Sequence, residues 1–195
     1  MGAVGNREKL LEGAKRCLYE RGFAHTTARD IAAVSGANLA SIGYHFGSKE
    51  ALLTQAMLEE LREWGAELVS VLPGGDESDP LSRMESMWTR LVESFVDRRT
   101  LWYVTFEAFV EAERSPELHD ALATGYHNAR PWMATLFTGQ SVEDVDERTA
   151  QTIGSFLLAL QAGLAAQWLL DPGHGPSGSD VAEALRRMAD VIERD

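Results

Sequence analysis

One cysteine in 195 residues rules out an internal disulfide, so packing and not covalent stapling must hold this chain together. That residue, Cys17, falls on the apolar stripe of Leu10, Leu11, Ala14 and Leu18 and reads as a buried core position. Basic residues are scarce as well. The 18 Lys and Arg face 30 Asp and Glu, and a net charge of −12 excludes a protein that grips nucleic acid by overall basicity. No segment sustains a period-two alternation, so no strand is predicted. The chain has no GxSxG, no phosphate-binding loop and no GxGxxG opening a helix after a strand, and its carboxylates are scattered on polar faces. His119 and His127 stand two helical turns apart, too far to share a metal, and no cysteine joins them. No enzymatic activity, cofactor or metal is expected. The start, MGAVGNREKLLEG, holds no apolar run long enough for a signal peptide, and Asn6 spoils a myristoylation pattern, so a cytoplasmic protein is expected.

The most informative stretch runs from Thr26 to Ala51, TTARDIAAVSGANLASIGYHFGSKEA. Thr27 can cap a helix whose third position is Asp30, which satisfies free N–H groups and sets a carboxylate at the positive end of the helix dipole. Ile31 and Val34 share one face, and Gly36 supplies the sharp turn that a second helix at a steep angle needs. Asn38 is a natural cap for that second helix. Ile42 and Phe46 continue the apolar face, while Leu39, Ser41 and Tyr44 are left to point elsewhere. Two short helices joined by a glycine turn make a helix-turn-helix, with duplex DNA as partner. The second helix carries little charge, which suits base reading by hydrogen bonds and methyl contacts while flanking groups hold phosphate. Charge placement agrees. Residues 1 to 50 carry a net +2 and the remaining 145 carry −14, so phosphate would be attracted at one end and repelled elsewhere.

The pattern GxxxTTxRDIAxxxG followed by NLASIGYHFGSKEALL resembles the DNA-binding domain of the tetracycline-repressor (TetR) family over about fifty residues, with YHFGSKEAL its most specific part. The resemblance implies a three-helix DNA-binding domain, taken as residues 1–50. It also implies an all-helical ligand-binding and dimerising domain, 51–195, with ligand binding releasing DNA. By motif position it assigns phosphate contacts to Thr27, Tyr44, His45 and Lys49, and base-edge contacts to the exposed face of Asn38, Leu39 and Ser41, with Arg29 beside them. Gly43 departs from the pattern, because related sequences carry a larger side chain there; the contact such a side chain makes is missing.

Helical periodicity continues downstream. A first helix from about Asn6 to Arg21 stops at Gly22, with Phe23 folding back. Ser48 caps a fourth, striped by Leu53, Met57, Leu61, Trp64 and Leu68 and ending near Leu72. Pro73 to Pro80 is the clearest loop. Leu81, Met84, Trp88, Leu91 and Phe95 form one helical face, and Leu101 to Val110 is apolar nearly all round, as in a buried central helix. Ser115, Pro116 and Glu117 start another helix, which Pro131 should kink near His127. Thr149 to Leu170 is 22 residues without charge, too polar at Gln151, Thr152, Ser155, Gln161 and Gln167 for lipid. A final helix carries Val181, Leu185, Met188 and Ile192. The expected fold is all-α, with about nine helices.

Five tryptophans suggest a lined cavity, and Trp88, Trp102, Phe106, Tyr126 and Trp132 are the candidates for an effector pocket. The small-residue run containing Ala159, Ala162, Gly163, Ala165 and Ala166 allows close helix approach. The family resemblance implies a four-helix bundle with a second copy there, to which Leu160, Leu164, Trp168, Leu185 and Met188 are assigned. The expected function is a homodimeric transcriptional regulator, a repressor that leaves a pseudo-palindromic operator when a small molecule binds. The alternative is a helical interaction protein regulated by a protein partner, with DNA binding weak or lost.

Overall fold

The computed structural model describes residues 5–70 and 80–194. Among them are nine helices and no strand, as the periodicity predicts. They are α1 (Asn6–Arg21), α2 (Ala28–Ser35), α3 (Ala40–Phe46), α4 (Lys49–Ser70), α5 (Pro80–Asp97), α6 (Arg99–Ala112), α7 (Pro116–Thr138), α8 (Glu147–Leu170) and α9 (Gly178–Ile192). The expected loop after α4 lies outside the described residues up to position 79, and Pro80 opens α5.

Most helix ends follow from local chemistry. Gly22 stops α1 with φ 79° and ψ 177°, a backbone region open essentially to glycine alone. The Ser115 hydroxyl accepts the Leu118 N–H at 3.3 Å, and Pro116 fills the first helical position of α7, where its missing N–H costs nothing. Asp146 caps α8 by accepting the Thr149 N–H at 2.9 Å, and Ser177 with Asp180 forms a reciprocal box at the start of α9.

The chain divides into two compact units that do not follow the motif boundary at residue 50. The first comprises Met1–Ala66 and Thr100–Gly125, and the second Glu67–Arg99 and Tyr126–Asp195. The first unit therefore joins the helix-turn-helix segment to α6 and the opening of α7. Its core holds Leu10, Leu11, Cys17, Leu18, Phe23, Ile31, Ile42, Leu52, Leu53 and Met57 with Val104, Ala108, Leu118 and Leu122. Each fully buried Leu or Ile there is worth about 1.5–3 kcal/mol, so α6 contributes to the same core as the helix-turn-helix. Cys17 is fully buried, and burial first, then the charges of Asp30 and Glu20, pushes its thiol pKa up. It is an inert core side chain.

In α6, Leu101, Trp102, Val104, Thr105 and Ala108 are buried, but Tyr103 and Val110 are exposed, so this helix is not enclosed on every side. The second unit packs α5 against α8 and α9. Met84, Met87, Trp88, Leu91 and Phe95 supply its core from α5, with Met133 from α7, Leu157, Leu164 and Leu169 from α8, and Val181 from α9. Pro131 sits inside α7 without ending it. Opposite it, α8 widens into a π-turn over Ala150–Gly154, where the absence of a side chain at Gly154 admits the Arg130 carbonyl.

Candidate nucleic-acid interface

The helix-turn-helix is built from three short-range devices. At the start of α2 the Thr27 hydroxyl accepts the Asp30 N–H at 3.2 Å and donates to Asp30 Oδ2 at 2.6 Å, while the Thr27 N–H donates to the same oxygen at 3.0 Å. Those hydrogen bonds, helped by Arg21 at 3.3 Å, hold the Asp30 carboxyl below its ordinary pKa. At the end of α2, Gly36 adopts φ 66°, ψ 13°, the left-handed turn that lets the chain reverse into α3. A Cβ there would meet nothing within 4 Å, so conformation and not space demands the glycine. The Asn38 side chain accepts the Ala40 N–H at 3.0 Å from one residue ahead of Leu39, the residue that stands at the N-cap of α3 and makes no side-chain cap, so Asn38 closes the turn before the helix and does not occupy the cap expected of it.

Ile42 anchors α3 to the core, and the opposite side of the helix is open. Thr27, Arg29, Asn38 and Leu39 are exposed, Ser41 and His45 are half-buried, and Tyr44 is 85% exposed. Tyr44 therefore buries little of its ring on this seven-residue helix and leaves its phenol open to solvent. Gly43 lies on this open side, where an added Cβ would meet nothing within 4 Å, so the missing side chain leaves α3 flat beside Tyr44. The His45 ring sits edge-on to Tyr44 at 4.8 Å and to Phe46 at 6.4 Å.

Lys49 is more constrained than its place in the motif suggests. Its ammonium donates to the Thr26 carbonyl at 3.0 Å and pairs with Glu50 at 3.2 Å. With three donors on the ammonium, one proton remains for a phosphate. All eight candidate DNA contacts, Thr27, Arg29, Asn38, Leu39, Ser41, Tyr44, His45 and Lys49, lie in the first unit. Sequence reasoning missed Arg7, whose guanidinium lies 5.2 Å over the Phe46 ring and so adds a cation beside the end of α3. It also missed Thr26, a buried threonine whose hydroxyl donates to the Gly22 carbonyl at 2.7 Å. The Thr–Thr pair was the available signal: one member caps outward and the other ties the turn inward.

The five candidate pocket residues do not all fall in one unit. Trp102 and Phe106 belong to the first, where Trp102 stands edge-on to Trp64 at 5.3 Å and Phe106 lies 6.3 Å from Trp102. Trp88, Tyr126 and Trp132 belong to the second. Among the described residues, the fully buried Trp88 has no partner for its Nε1–H, and Ser155 Oγ and Gln161 Oε1 on α8 are likewise buried without partners. Burial also pushes the Tyr126 phenol pKa up.

The candidate dimer residues are placed unevenly. Leu164 is only 3% exposed and points into its own core, Leu160, Trp168 and Leu185 are half-buried, and Met188 is exposed. The Trp168 indole donates to the Pro176 carbonyl at 3.0 Å, which occupies it within its own chain. The open face of α8 is instead Thr152, Phe156, Ala159, Gly163, Gln167 and Leu170, at spacings of three and four. On α9 it is Met188, Val191 and Ile192. By length and composition α8 could also cross a membrane, with a mean hydropathy of 1.5 and a third of that stretch buried in the protein.

Comparison with known proteins agrees with this geometry. The family model for bacterial regulatory proteins of the tetR family matches residues 10–56, and a tetracyclin repressor-like C-terminal domain model matches residues 80–191. The HTH-type transcriptional repressor KstR2 of Rhodococcus jostii is 39% identical over 196 residues, covering 96% of this chain and 88% of that protein. The HTH-type transcriptional regulator TtgR of Pseudomonas putida is 38% identical over 99 residues, 50% of this chain, and the match spans about half (47%) of TtgR's own length. Among solved structures, the multidrug binding protein EbrR complexed with proflavin superposes with a TM-score of 0.65 at 23% identity, covering 94% of this chain and 99% of that one, a likeness of fold. Glycine-turned α2 and α3 with an exposed outer face, and matches that reach from residue 10 to residue 191, place this chain in the tetR family of bacterial regulatory proteins.

Proposed function

We propose that the protein is a homodimeric, cytoplasmic transcriptional repressor that holds a pseudo-palindromic operator through two copies of α3 and releases it when a small molecule occupies the second unit. The observation that carries the DNA reading is the open face of α3, where Tyr44 and Leu39 are exposed on a helix whose Ile42 is locked in the core. Phosphate would be held by Thr27, Tyr44, His45 and Lys49 and base edges read by Asn38, Leu39 and Ser41, with Arg29 alongside.

Dimerisation is supported by the uncharged stripe on α8 and the exposed apolar residues of α9. A stripe mixing Thr152, Gln167 and Gly163 with Phe156 and Leu170 suits close approach by another helix better than it suits lipid. An effector is supported by the buried polar atoms of Trp88, Ser155 and Gln161 that find no partner among the described residues, because each such group costs about 1–3 kcal/mol until something bonds it. A dimer reading half-sites about 34–36 Å or a multiple apart loses affinity when its heads are respaced, so an effector need only favour the wrong spacing. Selection of bound sequences from random duplex DNA with the purified protein tests the reading. Enriched inverted repeats support it, and recovery of no preferred sequence overturns it.

A further inference from the structure

The first unit places α6 against the turn that feeds the reading head. Glu107 of α6 accepts the Phe23 N–H on Oε2 at 2.8 Å. Its carboxylate oxygens stand 2.6 and 3.0 Å from where a Cβ on Gly22 would lie, so the glycine that ends α1 also clears the seat for this carboxylate. The carbonyl of that same Gly22 accepts from the Thr26 hydroxyl at 2.7 Å, and Thr26 is 1% exposed. The Thr26 carbonyl in turn accepts from Lys49 Nζ at 3.0 Å, and the next residue, Thr27, caps α2. A continuous polar relay thus runs from α6 through the Gly22–Thr26 turn to the starts of both α2 and α4.

We infer that Glu107 is a positioning residue for DNA binding: its carboxylate fixes the Phe23–Thr26 turn and, through Thr26, sets where Thr27 and Lys49 meet phosphate on either side of α3. The inference rests on the assignment of Thr27 and Lys49 to phosphate. Phe23 is 3% exposed, so its N–H has no water to turn to when the carboxylate leaves. A displacement of α6 must therefore carry the turn with it or strip a buried donor of its acceptor. Either way the position of α6, a helix remote in sequence from the motif, becomes an input to the phosphate contacts.

The test uses the full chain, its selected operator duplex, and the variants Glu107→Ala, Glu107→Gln and Lys49→Ala, read by fluorescence anisotropy over a salt series. Glu107→Ala is expected to weaken operator binding about tenfold and to lower the salt slope by about one, as Lys49→Ala does. The double variant is expected to lose less than the sum of the two single losses, because part of what Glu107 positions is the Lys49 contact itself. Glu107→Gln keeps an oxygen that accepts from Phe23 and should stay within about threefold of wild type. A merely structural glutamate would lower the melting temperature while leaving the salt slope unchanged, and would combine additively with Lys49→Ala; either result overturns the proposal, as does a Glu107→Gln variant no better than the alanine. Amide exchange on the DNA-free protein supplies a second readout. Faster exchange at Phe23 and at the first turn of α2 in Glu107→Ala supports the relay, and unchanged exchange overturns it. If wild type binds no duplex, the functional reading falls, and the exchange measurement alone decides whether the relay exists.

Discussion

Gly163 and Leu164 are neighbours on α8, yet an arginine at each should produce opposite failures. Leu164 is 3% exposed inside its own protomer. Replacing it by Arg forfeits roughly 2–5 kcal/mol of packing and adds several more for an unpaired buried charge. Together these approach the whole stability of a typical domain, about 5–15 kcal/mol. Leu164→Arg should therefore be insoluble or unfolded. At Gly163 an added Cβ meets nothing within 4 Å and the position is exposed. Arginine there should strengthen the isolated helix by up to about 1 kcal/mol relative to glycine. In a dimer it meets its symmetry mate across an uncharged face. A penalty of about 3 kcal/mol from desolvation and like-charge repulsion would weaken dimerisation roughly 150-fold. Gly163→Arg should therefore give a soluble, fully helical monomer with a melting temperature no lower than that of a diluted wild type. Sedimentation velocity over a dilution series, paired with circular dichroism melting, separates the cases. A Gly163→Arg protein that sediments as wild type at every concentration, or a Leu164→Arg protein that remains folded and soluble, would refute the assignment of the α8 face.

Three further outcomes follow from local geometry. Gly22→Ala places a side chain in a backbone region that glycine alone occupies cheaply and pushes a Cβ against Glu107, so a loss of at least 1–3 kcal/mol, as an order of magnitude, is expected in urea unfolding; an unchanged midpoint would contradict it. Asp30, Asp146 and Asp180 all have depressed pKa values, caused first by hydrogen bonds from the hydroxyls of Thr27, Thr149 and Ser177. A depressed carboxyl stabilises the fold above its unfolded pKa of about 3.9 and loses that contribution as the pH falls through the lower folded value. Stability should therefore decline on acidification below about pH 4, and an Asp30→Asn variant should show a shallower decline, which melting curves across that range would check. Substitutions at Asn38 and Ser41 should change which sequences are selected while leaving the salt slope of binding intact, and an unaltered preference would remove those two residues from the reading face.

The helix starts and stops were legible in the sequence because they are decided within a few residues. Thr27 with Asp30, Gly36, Asn38 and Ser115 with Pro116 each satisfy or release backbone groups next door, and no distant contact is needed to know what they do. The open face of α3 was legible for the same reason: Ile42 and Tyr44 differ in polarity at positions whose separation on a helix is fixed. What periodicity could not reveal is which side of an almost wholly apolar helix faces inward. Along α8 nearly every position is uncharged, so nothing local distinguishes Leu164, which is buried, from Phe156, which is open.

Pairings between residues far apart in the chain were invisible for a related reason. Glu107 looks like one acid among 30, and only the folding of α6 onto α1 turns it into the acceptor for Phe23. The same folding puts α6 in one compact unit with the helix-turn-helix, which a motif ending near residue 50 gives no reason to expect. The all-helical class, the turn chemistry and the helix-turn-helix pattern can be read along the chain, because these depend on propensity and spacing along a few turns. Which apolar faces stay open, which polar atoms lie buried without partners among the described residues and which distant side chain holds the turn depend on helix packing, because burial and pairing belong to helices brought together by the core.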